Sequence, residues 1–335
     1  MAPIPTTMSG VLIEKNGGPE VLQWRTDLPV PKLQDGEILI RNEFVGVNYI
    51  DTYFRTGLYK AALPLVLGRE GAGTVVASAT DEFKPGDRVA YTGERAYAEL
   101  TSLAADKAAA IPAGITTETA AASMLQGLTA LTFVREAAGI KRGDEDKGPG
   151  SGPWVLVHAA AGGTGGLLVQ LLTVLGAKVI GTAGGPEKCE TAAKNGAQYV
   201  IDSRNEDAVA RVAEITSGKG VDVIFDGVGK ATIDSDFDMI ARKGTLVIFG
   251  NASGSPPPIE LARLSAKNIK LMRPVLFSYL ATKEERQEYT KELFELILAG
   301  KVDIKVHDVY PLKEIARAHS DLEGRKTTGK VLLRV

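Results

Sequence analysis

The chain has 335 residues, about twice the usual ~150-residue domain, so two domains or one large α/β unit are expected. Hydrophobic residues make up 44% and charged residues 24%, and 39 basic against 41 acidic residues give a formal net charge of -2; this is typical of a soluble globular protein and excludes a disordered, collagen-like or coiled-coil chain. The charge balance lacks the basic excess of proteins that bind by neutralising phosphates, so nucleic acid is a disfavoured partner.

Up to about residue 110, short alternating or apolar runs are separated by turn residues, which predicts a mostly β domain. Strands are expected at residues 10–13, 37–41, 73–76 and 87–90. From residue 116 the pattern becomes helical, with Thr116 or Thr117 as the N-cap and Gly139 as the stop. The charged residues 141–153, rich in glycine and proline, then predict a surface loop.

Beyond this loop, apolar runs of strand length alternate with segments of helix length. The runs fall at residues 154–158, 178–182, 199–202, 221–226, 245–250 and 269–272. This alternation predicts parallel βαβ units and a doubly wound sheet with helices on both faces. After Pro274 the sequence predicts a helix at about residues 283–298, an extended run at 303–309 and a closing strand at 329–334.

A glycine-rich turn follows the first of these later strands and precedes a helical pattern. It includes Gly162, Gly163, Thr164 and Gly165, and it begins with Ala160 where the usual fingerprint has glycine. A strand, a glycine turn and a helix N-terminus form a pyrophosphate site, because backbone N–H groups can approach the anion at the positive end of the helix. In its βαβ context the motif predicts a dinucleotide cofactor.

The choice of dinucleotide depends on the end of the next strand, where an acidic residue would bind the ribose 2′-hydroxyl. That position holds Gly184 and its neighbours without a carboxylate, whereas Glu187 lies past the strand end. Lys188 and Arg204 follow nearby and are candidates to hold a 2′-phosphate by charge-assisted hydrogen bonds. The alternative for both is a solvated surface charge. The sequence favours NADP(H).

Residues that could bind a metal ion or form a disulfide are few. The single cysteine, Cys189, excludes an intramolecular disulfide and a cysteine-rich zinc site, and it fits a reducing compartment. We expect His158 to be a structural residue beside the glycine turn, and His307 and His319 to lie on the surface. Because neither a signal segment nor a membrane-span-length apolar run is visible, we expect a cytoplasmic, unprocessed protein without a membrane partner.

Several motifs extend along essentially the whole chain, at residues 46–53, 55–59, 67–73, 158–165, 249–254 and 273–274. With the order of the predicted domains, they resemble the medium-chain dehydrogenase/reductase superfamily and, in detail, its zinc-free quinone oxidoreductase (zeta-crystallin-like) branch. The zinc-containing relatives have a metal-binding cysteine where this chain has Asn48 and a histidine where it has Arg69. The resemblance therefore implies a site without metal.

The resemblance implies a Rossmann domain at residues 131–272, a discontinuous β-rich GroES-like catalytic domain at 1–130 and 273–335, and a homodimer. It implies NADPH as the cofactor, with Ser203 replacing a Tyr or His of some relatives. The candidate catalytic residues are Asn48, Tyr53, Tyr59 and Arg273, although turn formation and core packing also explain an Asn and a Tyr. The candidate cofactor-binding residues are Gln126, Thr129, Gly162, Gly163, Thr164, Gly165, Gly184, Lys188, Ser203, Arg204, Phe249, Asn251 and Lys330.

The activity implied by the resemblance is hydride transfer from NADPH to a quinone, in which the protein aligns the nicotinamide with its acceptor. Tyr53, water bound to Asn48 and bulk water are candidates for the proton source. One alternative is reduction of the C=C bond of an enal or enone. Another is an NADPH-binding crystallin-like or RNA-associated role. The sequence does not identify the physiological acceptor.

Overall fold

The computed structural model describes residues 4–140 and 152–335, so almost all of the predicted surface loop at 141–153 lies outside the described residues. The chain divides into two compact units. The β-rich unit comprises Met1–Gln126, Thr282–Leu298 and Ile304–Val335, and the Rossmann unit comprises Gly127–Ala281 and Ala299–Asp303. The sequence instead predicted domain boundaries after residues 130 and 272, and these boundaries stay predictions.

The helices and strands are numbered along the chain. The strands are β1 (Thr7–Ile13), β2 (Gln23–Pro29), β3 (Glu37–Val47), β4 (Leu65–Val66), β5 (Glu70–Ser78), β6 (Arg88–Thr92), β7 (Leu100–Ala104), β8 (Ala108–Ala110), β9 (Trp154–Val157), β10 (Lys178–Ala183), β11 (Tyr199–Asp202), β12 (Val221–Asp226), β13 (Ile240–Ile248), β14 (Lys270–Met272), β15 (Val306–Pro311) and β16 (Lys330–Arg334). The helices are α1 (Tyr49–Thr56), α2 (Thr117–Thr132), α3 (Gly163–Val174), α4 (Pro186–Lys194), α5 (Ala208–Ile215), α6 (Ile233–Met239), α7 (Ala262–Ser265), α8 (Leu276–Tyr279), α9 (Lys283–Leu298) and α10 (Ile315–Glu323).

The β-rich unit contains two sheets among its described residues. The smaller has the order β2-β1-β4, and the larger has the order β15-β16-β3-β5-β6-β8 with β7 also beside β3. All neighbours are antiparallel except β15 and β16. The inward side chains of β1 and β3, such as Val11, Ile13, Ile38 and Ile40, are fully buried. In β3 the intervening Leu39 is buried as well, so this central strand is covered on both faces over part of its length.

The Rossmann unit contains a parallel sheet with the strand order β11-β10-β9-β12-β13-β14 in the described residues. Its central strands are continuous apolar runs because helices cover both faces of a doubly wound sheet. The strand order reverses between β9 and β12, and ligands bind outside the carboxyl ends of the strands at such a reversal. The doubly wound sheet and the β-rich second region predicted from the sequence are both confirmed.

The ends of the helices and strands agree with the predicted ends where the sequence pattern is strong, and they differ from them elsewhere. The predicted N-cap of α2 is confirmed, since the backbone N–H of Thr119 donates to Thr116 Oγ1 over 3.0 Å. The predicted closing strand is β16, which pairs with β3. Strands β2, β4, β7 and β8 were not predicted: β2 is largely exposed, β4 and β8 have two and three residues, and β7 alternates in neither polarity nor burial. In the described residues, no helix is both long enough and apolar enough to cross a membrane.

Candidate active site

The glycine-rich turn connects β9 to α3 in the Rossmann unit. Gly162 is the extended N-cap residue, and its carbonyl accepts the first helical hydrogen bond from Gly166 N over 2.7 Å. A Cβ at Gly165 would collide with the Ala159 carbonyl oxygen, so only glycine permits this tight turn. The N–H groups of Gly163 and its two successors have no acceptor within the helix. These three donors stand at the positive end of α3, which is the chemistry that a dinucleotide pyrophosphate requires.

The ends of β10 and β11 lie side by side near this turn. The Arg204 side chain covers the end of β10: a Cβ on Gly184 would lie 3.2 Å from its Nε, and one on Gly185 would lie 3.2 Å from its Nη1. Asp202 Oδ1 accepts hydrogen bonds from Gly185 N over 2.9 Å and Arg204 N over 3.0 Å. These backbone donors lower the pKa of Asp202. Ser203 is tied to β10 through its hydroxyl, which donates to the Ala183 carbonyl over 3.2 Å.

The loop after β13 contributes Phe249 and Asn251 at the same edge of the sheet. Asn251 is buried, and the Phe249 ring lies 5.6 Å from the Phe133 ring in an edge-to-face contact. The exposed Arg273, which follows β14, donates through Nη1 to the Gly250 carbonyl over 3.1 Å. The structure thus brings these three predicted residues together at the carboxyl ends of two neighbouring strands.

Two other predicted residues of the Rossmann unit lie on helices. Lys188 lies in the first turn of α4 and is half-buried, as is Thr129 on α2. Both are positioned by helices whose starts are well marked in the sequence, at Pro186 and at Thr116.

A buried polar group directly precedes the glycine turn in sequence. His158 follows β9, and its ring nitrogens pair with Thr182 Oγ1 at 2.9 Å and Asp236 Oδ1 at 2.8 Å. Burial opposes the charged imidazolium, but the hydrogen bond and charge of Asp236 raise the net pKa of His158. Burial also raises the pKa of Asp236 to about 6. The structural role predicted for His158 agrees with this arrangement.

In the β-rich unit, three predicted residues meet around a carboxylate. Asn48 Nδ2 donates to Glu70 Oε1 over 2.7 Å, and Asn48 Oδ1 accepts from Lys330 Nζ over 2.8 Å and from Gln126 Nε2 over 3.4 Å. Lys330 also forms an ion pair with Glu70, and the two side chains are 1% and 0% exposed. We call these residues, Asn48, Glu70 and Lys330, the buried cluster. Glu70 had no role in the sequence analysis.

Tyr53 and Tyr59, which follow Asn48 closely in the sequence, form an aromatic pair. Their rings lie 5.2 Å apart in an edge-to-face contact, and the Tyr59 backbone N–H donates to the Tyr53 carbonyl over 3.0 Å. Helix α1 carries Tyr53 and ends at Gly57, whose φ of 82° lies in the left-handed region that glycine tolerates. Tyr59 also contacts Phe54, over whose ring the Arg69 guanidinium lies at 4.3 Å.

A chain of buried groups fixes the start of α1. Asp51 Oδ2 accepts from Asn48 N over 2.9 Å and from the Tyr97 hydroxyl over 2.7 Å. His319 Nδ1 lies 2.9 Å from Arg55 Nη1, and because a guanidinium only donates, this nitrogen is the acceptor. Burial raises the pKa of Asp51 to about 6, whereas burial and Arg55 lower that of His319 to about 3.

The surface position predicted for His319 is wrong, because its residue is 0% exposed. The signal for burial was present in the sequence: Ile315, Ala318, His319 and Leu322 share one face of α10 at helical spacing, and all are buried. The predicted exposure of His307 is confirmed.

The side chains at the positions of the zinc ligands do not fit a metal ion. The carbonyl oxygen of Asn48 already accepts from an ammonium group, and Arg69 is a cation that pairs with Glu94 at 2.9 Å. Within residues 4–140 and 152–335, no group of three or more His, Cys, Asp or Glu side chains is arranged to hold a metal.

Comparison with known proteins gives two family matches. Residues 34–128 match the model described as alcohol dehydrogenase GroES-like domain, and residues 163–298 match the one described as zinc-binding dehydrogenase. The chain is 44% identical over 327 residues to quinone oxidoreductase 1 of Escherichia coli strain K12, covering 95% of this chain and 97% of that protein. It is 35% identical over 340 residues to 2-haloacrylate reductase of a Burkholderia species, covering 96% and 97%.

Among solved structures, the crystal structure of Escherichia coli quinone oxidoreductase complexed with NADPH superposes with a TM-score of 0.91. The sequence identity is 42%, and the match covers 98% of this chain and 100% of that one. Similarity of this extent spans both units of the chain.

Proposed function

The chain belongs to the quinone oxidoreductase branch of the medium-chain dehydrogenase/reductase superfamily, and on this premise we propose which residues carry its activity. It is an NADPH-dependent quinone reductase. The observation that carries the cofactor assignment in this chain is the Arg204 guanidinium over the Gly184–Gly185 turn, where an NAD-dependent site would have a carboxylate. Although residues 163–298 match a family model described as zinc-binding dehydrogenase, we propose that the reaction is independent of zinc.

The Rossmann unit binds the cofactor through groups at the carboxyl edge of its sheet. The N–H groups of Gly163, Thr164 and Gly165 at the start of α3 hold the pyrophosphate. Arg204 and Lys188 hold the 2′-phosphate, and a guanidinium suits this task because it presents a rigid fork of donors to phosphate oxygens. Support for these roles comes from the open helix N-terminus and from Asp202, which fixes the Arg204 backbone beside Gly185.

Four more predicted cofactor-binding residues, together with Arg273, which the sequence made a candidate catalytic residue, complete the proposed cofactor site. Phe249 and Asn251 line the end of β13, Arg273 is held there by its bond to the Gly250 carbonyl, and Ser203 is fixed to β10. Thr129 faces the nicotinamide end of the cofactor in this proposal. Bound NADPH supplies the hydride.

The β-rich unit provides the groups that meet the substrate. We assign Asn48, Tyr53 and Tyr59 to the quinone, with Gln126 supporting Asn48 through its 3.4 Å hydrogen bond. Hydride transfer leaves a phenolate that takes up one proton, and the Tyr53 hydroxyl is the side-chain donor we assign to this proton. The two rings at 5.2 Å form an apolar surface that suits a planar quinone.

Reduction of an electron-poor C=C bond is the second candidate. The observation that favours it is the 35% identity to 2-haloacrylate reductase over nearly the whole chain. Such a substrate accepts hydride on one carbon and a proton on the next, so the same groups can serve both reactions.

A substrate panel monitored by NADPH oxidation tests the function. We expect steady-state turnover with benzoquinones and naphthoquinones, a much lower kcat/KM with enals, enones and 2-haloacrylates, and little turnover with NADH. Higher kcat/KM for the alkenes would make the second candidate the function. No turnover with any acceptor, together with tight NADPH binding, would instead favour the binding-only role considered from the sequence.

We also propose that the protein is a cytoplasmic homodimer. The strand β14 is an edge of its sheet, and three exposed apolar residues lie close to it in sequence: Leu261 at 78%, Val275 at 55% and Phe277 at 37%. An exposed edge with apolar neighbours suits pairing with a second copy. Light scattering should give twice the chain mass, and Val275→Asp should lower it. A monomer mass for the unmodified protein would refute the dimer.

A further inference from the structure

The buried cluster contains a complete ion pair with almost no contact with water. The side chain of Lys330 is 1% exposed, that of Glu70 is 0% exposed, and Asn48 is 4% exposed. A buried ion pair is weak as a source of stability, because the cost of desolvation offsets most of the attraction. Its presence beside a proposed substrate residue therefore requires another explanation.

The hydrogen bonds of the ion pair are fully used. Lys330 Nζ donates to Asn48 Oδ1 over 2.8 Å, to the Val47 carbonyl over 3.2 Å and to Glu70 Oε1, which accounts for its three hydrogens. Glu70 Oε1 also accepts from Asn48 Nδ2, and Oε2 accepts from Leu125 N over 2.6 Å. The carboxylate fits because Gly46 leaves room for it; a Cβ there would collide with Oε1.

This geometry allows only one orientation of the Asn48 carboxamide. An ammonium group only donates and a carboxylate only accepts, so the amide oxygen must face Lys330 and the amide nitrogen must face Glu70. The reversed amide would place N–H groups against the ammonium and an oxygen against the carboxylate. In this orientation one Nδ2 hydrogen is donated to Glu70, and within the described residues no acceptor meets the second.

We propose that Glu70 and Lys330 are positioning residues of the quinone reductase, and that they orient Asn48 so that its second amide hydrogen binds a quinone oxygen. The inference rests on the proposed function. When the hydride adds to the quinone, an electron pair is left on this oxygen, and the amide N–H stabilises it until a proton is taken up to give the hydroquinone. The overall change is NADPH, a proton and quinone to NADP⁺ and hydroquinone. A fixed donor at such an oxygen acts without reorganisation.

The proposal differs from the sequence prediction for Lys330, which made it a cofactor-binding residue. If Lys330 acts through Asn48, its removal should lower kcat and leave NADPH affinity unchanged. If it contacts NADPH, the dissociation constant should rise. The dissociation constant measured by cofactor fluorescence, without turnover, separates the two roles.

The first test is a double-mutant cycle with Lys330→Met and Asn48→Ala. We expect each change to lower kcat by about 10- to 100-fold, the loss that follows misplacement of a reacting group, and the double variant to be no worse than about threefold below the poorer single variant. Lys330→Arg, which keeps a charged donor, should recover part of the loss. The proposal would be overturned if the loss of kcat in the double variant equalled the product of the two single losses. A rise in the NADPH dissociation constant that matches the kcat loss would overturn it as well.

The matched control is Lys267→Met in the Rossmann unit. Lys267 also has three acceptors, the carbonyl groups of Phe237, Asp238 and Ile240, each at 2.9 Å. Its replacement removes the same number of hydrogen bonds, without breaking an ion pair, far along the chain from Asn48. We expect loss of thermal stability with kcat retained.

The second test does not depend on turnover. The two side-chain ¹⁵N–¹H resonances of Asn48, identified by their loss in Asn48→Ala, should shift in Glu70→Gln and Lys330→Met and remain in place in Lys267→Met. Unshifted resonances would overturn the positioning role even in an active enzyme. An enzyme that reduces no quinone, but in which these resonances shift as expected, would refute the quinone step and the proposed function while leaving the amide orientation supported.

Discussion

In the Rossmann unit the candidate ligand groups are backbone N–H groups and an exposed guanidinium, whereas in the β-rich unit they belong to a closed cluster of buried side chains. The helix start at Gly163 and the Arg204 side chain present positive charge to their surroundings. Glu70 and Lys330 neutralise each other inside the protein. The first arrangement is completed by a ligand's negative charge, and the second is complete before any ligand arrives.

This difference teaches what a mutation should change in each unit. Removing a group from the open arrangement should mainly weaken ligand binding, because solvent replaces it in the free protein. Removing a group from the closed arrangement should mainly reduce stability, because its partner stays buried without compensation.

The largest contrast is expected from two buried histidines with opposite pKa shifts. His319 has a pKa near 3 when folded and 6.5 when unfolded, so stability falls as the pH drops through this interval, by on the order of 5 kcal/mol. His158 in the Rossmann unit has a raised pKa, so its contribution is present below pH 6.5 and is lost as the pH rises through the folded value. In His319→Gln the free energy of unfolding should therefore fall less steeply as the pH drops from 6.5 to 3.

Denaturant unfolding at pH steps between 3 and 7 measures this effect. Gln keeps an acceptor toward Arg55, and His307→Gln is the matched control because His307 is exposed. Asp51 opposes the trend, because its folded pKa of about 6 lies above its ordinary value of 3.8, so its contribution to stability is lost as the pH rises from about 3.8 to 6. The prediction would be contradicted if the free energy of unfolding fell equally steeply between pH 6.5 and 3 in His319→Gln and in the unmodified protein.

The next largest effect is the cost of leaving one buried charge alone. Lys330→Met should reduce the free energy of unfolding by about 3–5 kcal/mol, because Glu70 then keeps an uncompensated charge. Adding Glu70→Gln should restore most of it. Arg204→Ala should change stability by no more than about 0.5 kcal/mol, since its side chain is exposed. Equal losses in the two single variants, measured by urea unfolding, would remove the distinction between the regions.

A smaller effect, on binding alone, is expected from the open arrangement. Arg204→Ala should weaken NADPH binding by about 1.5–3 kcal/mol, or ~10- to 150-fold, and leave NADH binding nearly unchanged. Lys188→Ala should do the same, and the double variant should nearly abolish the preference unless both residues share one phosphate oxygen. Arg242→Ala, at an exposed residue of β13, is the control. Parallel losses for both cofactors in titration calorimetry would show damage to the fold rather than loss of phosphate recognition.

The smallest expected effect is that of metal removal. Exhaustive chelation should leave quinone reduction unchanged, because Asn48 and Arg69 stand where zinc ligands are found in the metal-containing relatives and neither can bind zinc. Metal analysis and activity should be measured on the same dialysed sample. Zinc bound in a one-to-one ratio and required for turnover would refute the zinc-free assignment.

The sequence was sufficient for the Rossmann unit because its signals are local. Each strand is a continuous apolar run, and the glycine turn lies within a few residues of both the strand and the helix it connects. Because the strands are parallel, their carboxyl ends meet at one edge of the sheet, whatever the sequences of the helices that connect them. Among the features that were not anticipated are Asp202 at the end of β11, which fixes the Arg204 backbone, and Asp236, which pairs with His158.

The β-rich unit was predictable in class but not in its interior. Asn48 and Lys330 are 282 residues apart in the chain, and Glu70 lies 22 residues from Asn48, so their contact depends on the pairing of β3, β5 and β16. No periodicity encodes that pairing. His319 is a different case, because helical spacing did indicate its burial, and the polarity of its neighbours outweighed that signal in the prediction.

The position of Lys330 in the last strand of the β-rich sheet sets an order of events during synthesis. The ribosome makes Asn48, then the entire Rossmann segment, and only afterwards the strand that carries the ammonium group, 282 residues later. At ~5–20 residues per second this interval is roughly 15–60 s. For the last 260 residues of this interval, the nascent β-rich unit has a Glu70 carboxylate without its cation and a sheet whose β3 lacks β16. The Rossmann unit is thus able to fold on the ribosome first, and the quinone-binding groups acquire their final orientation last.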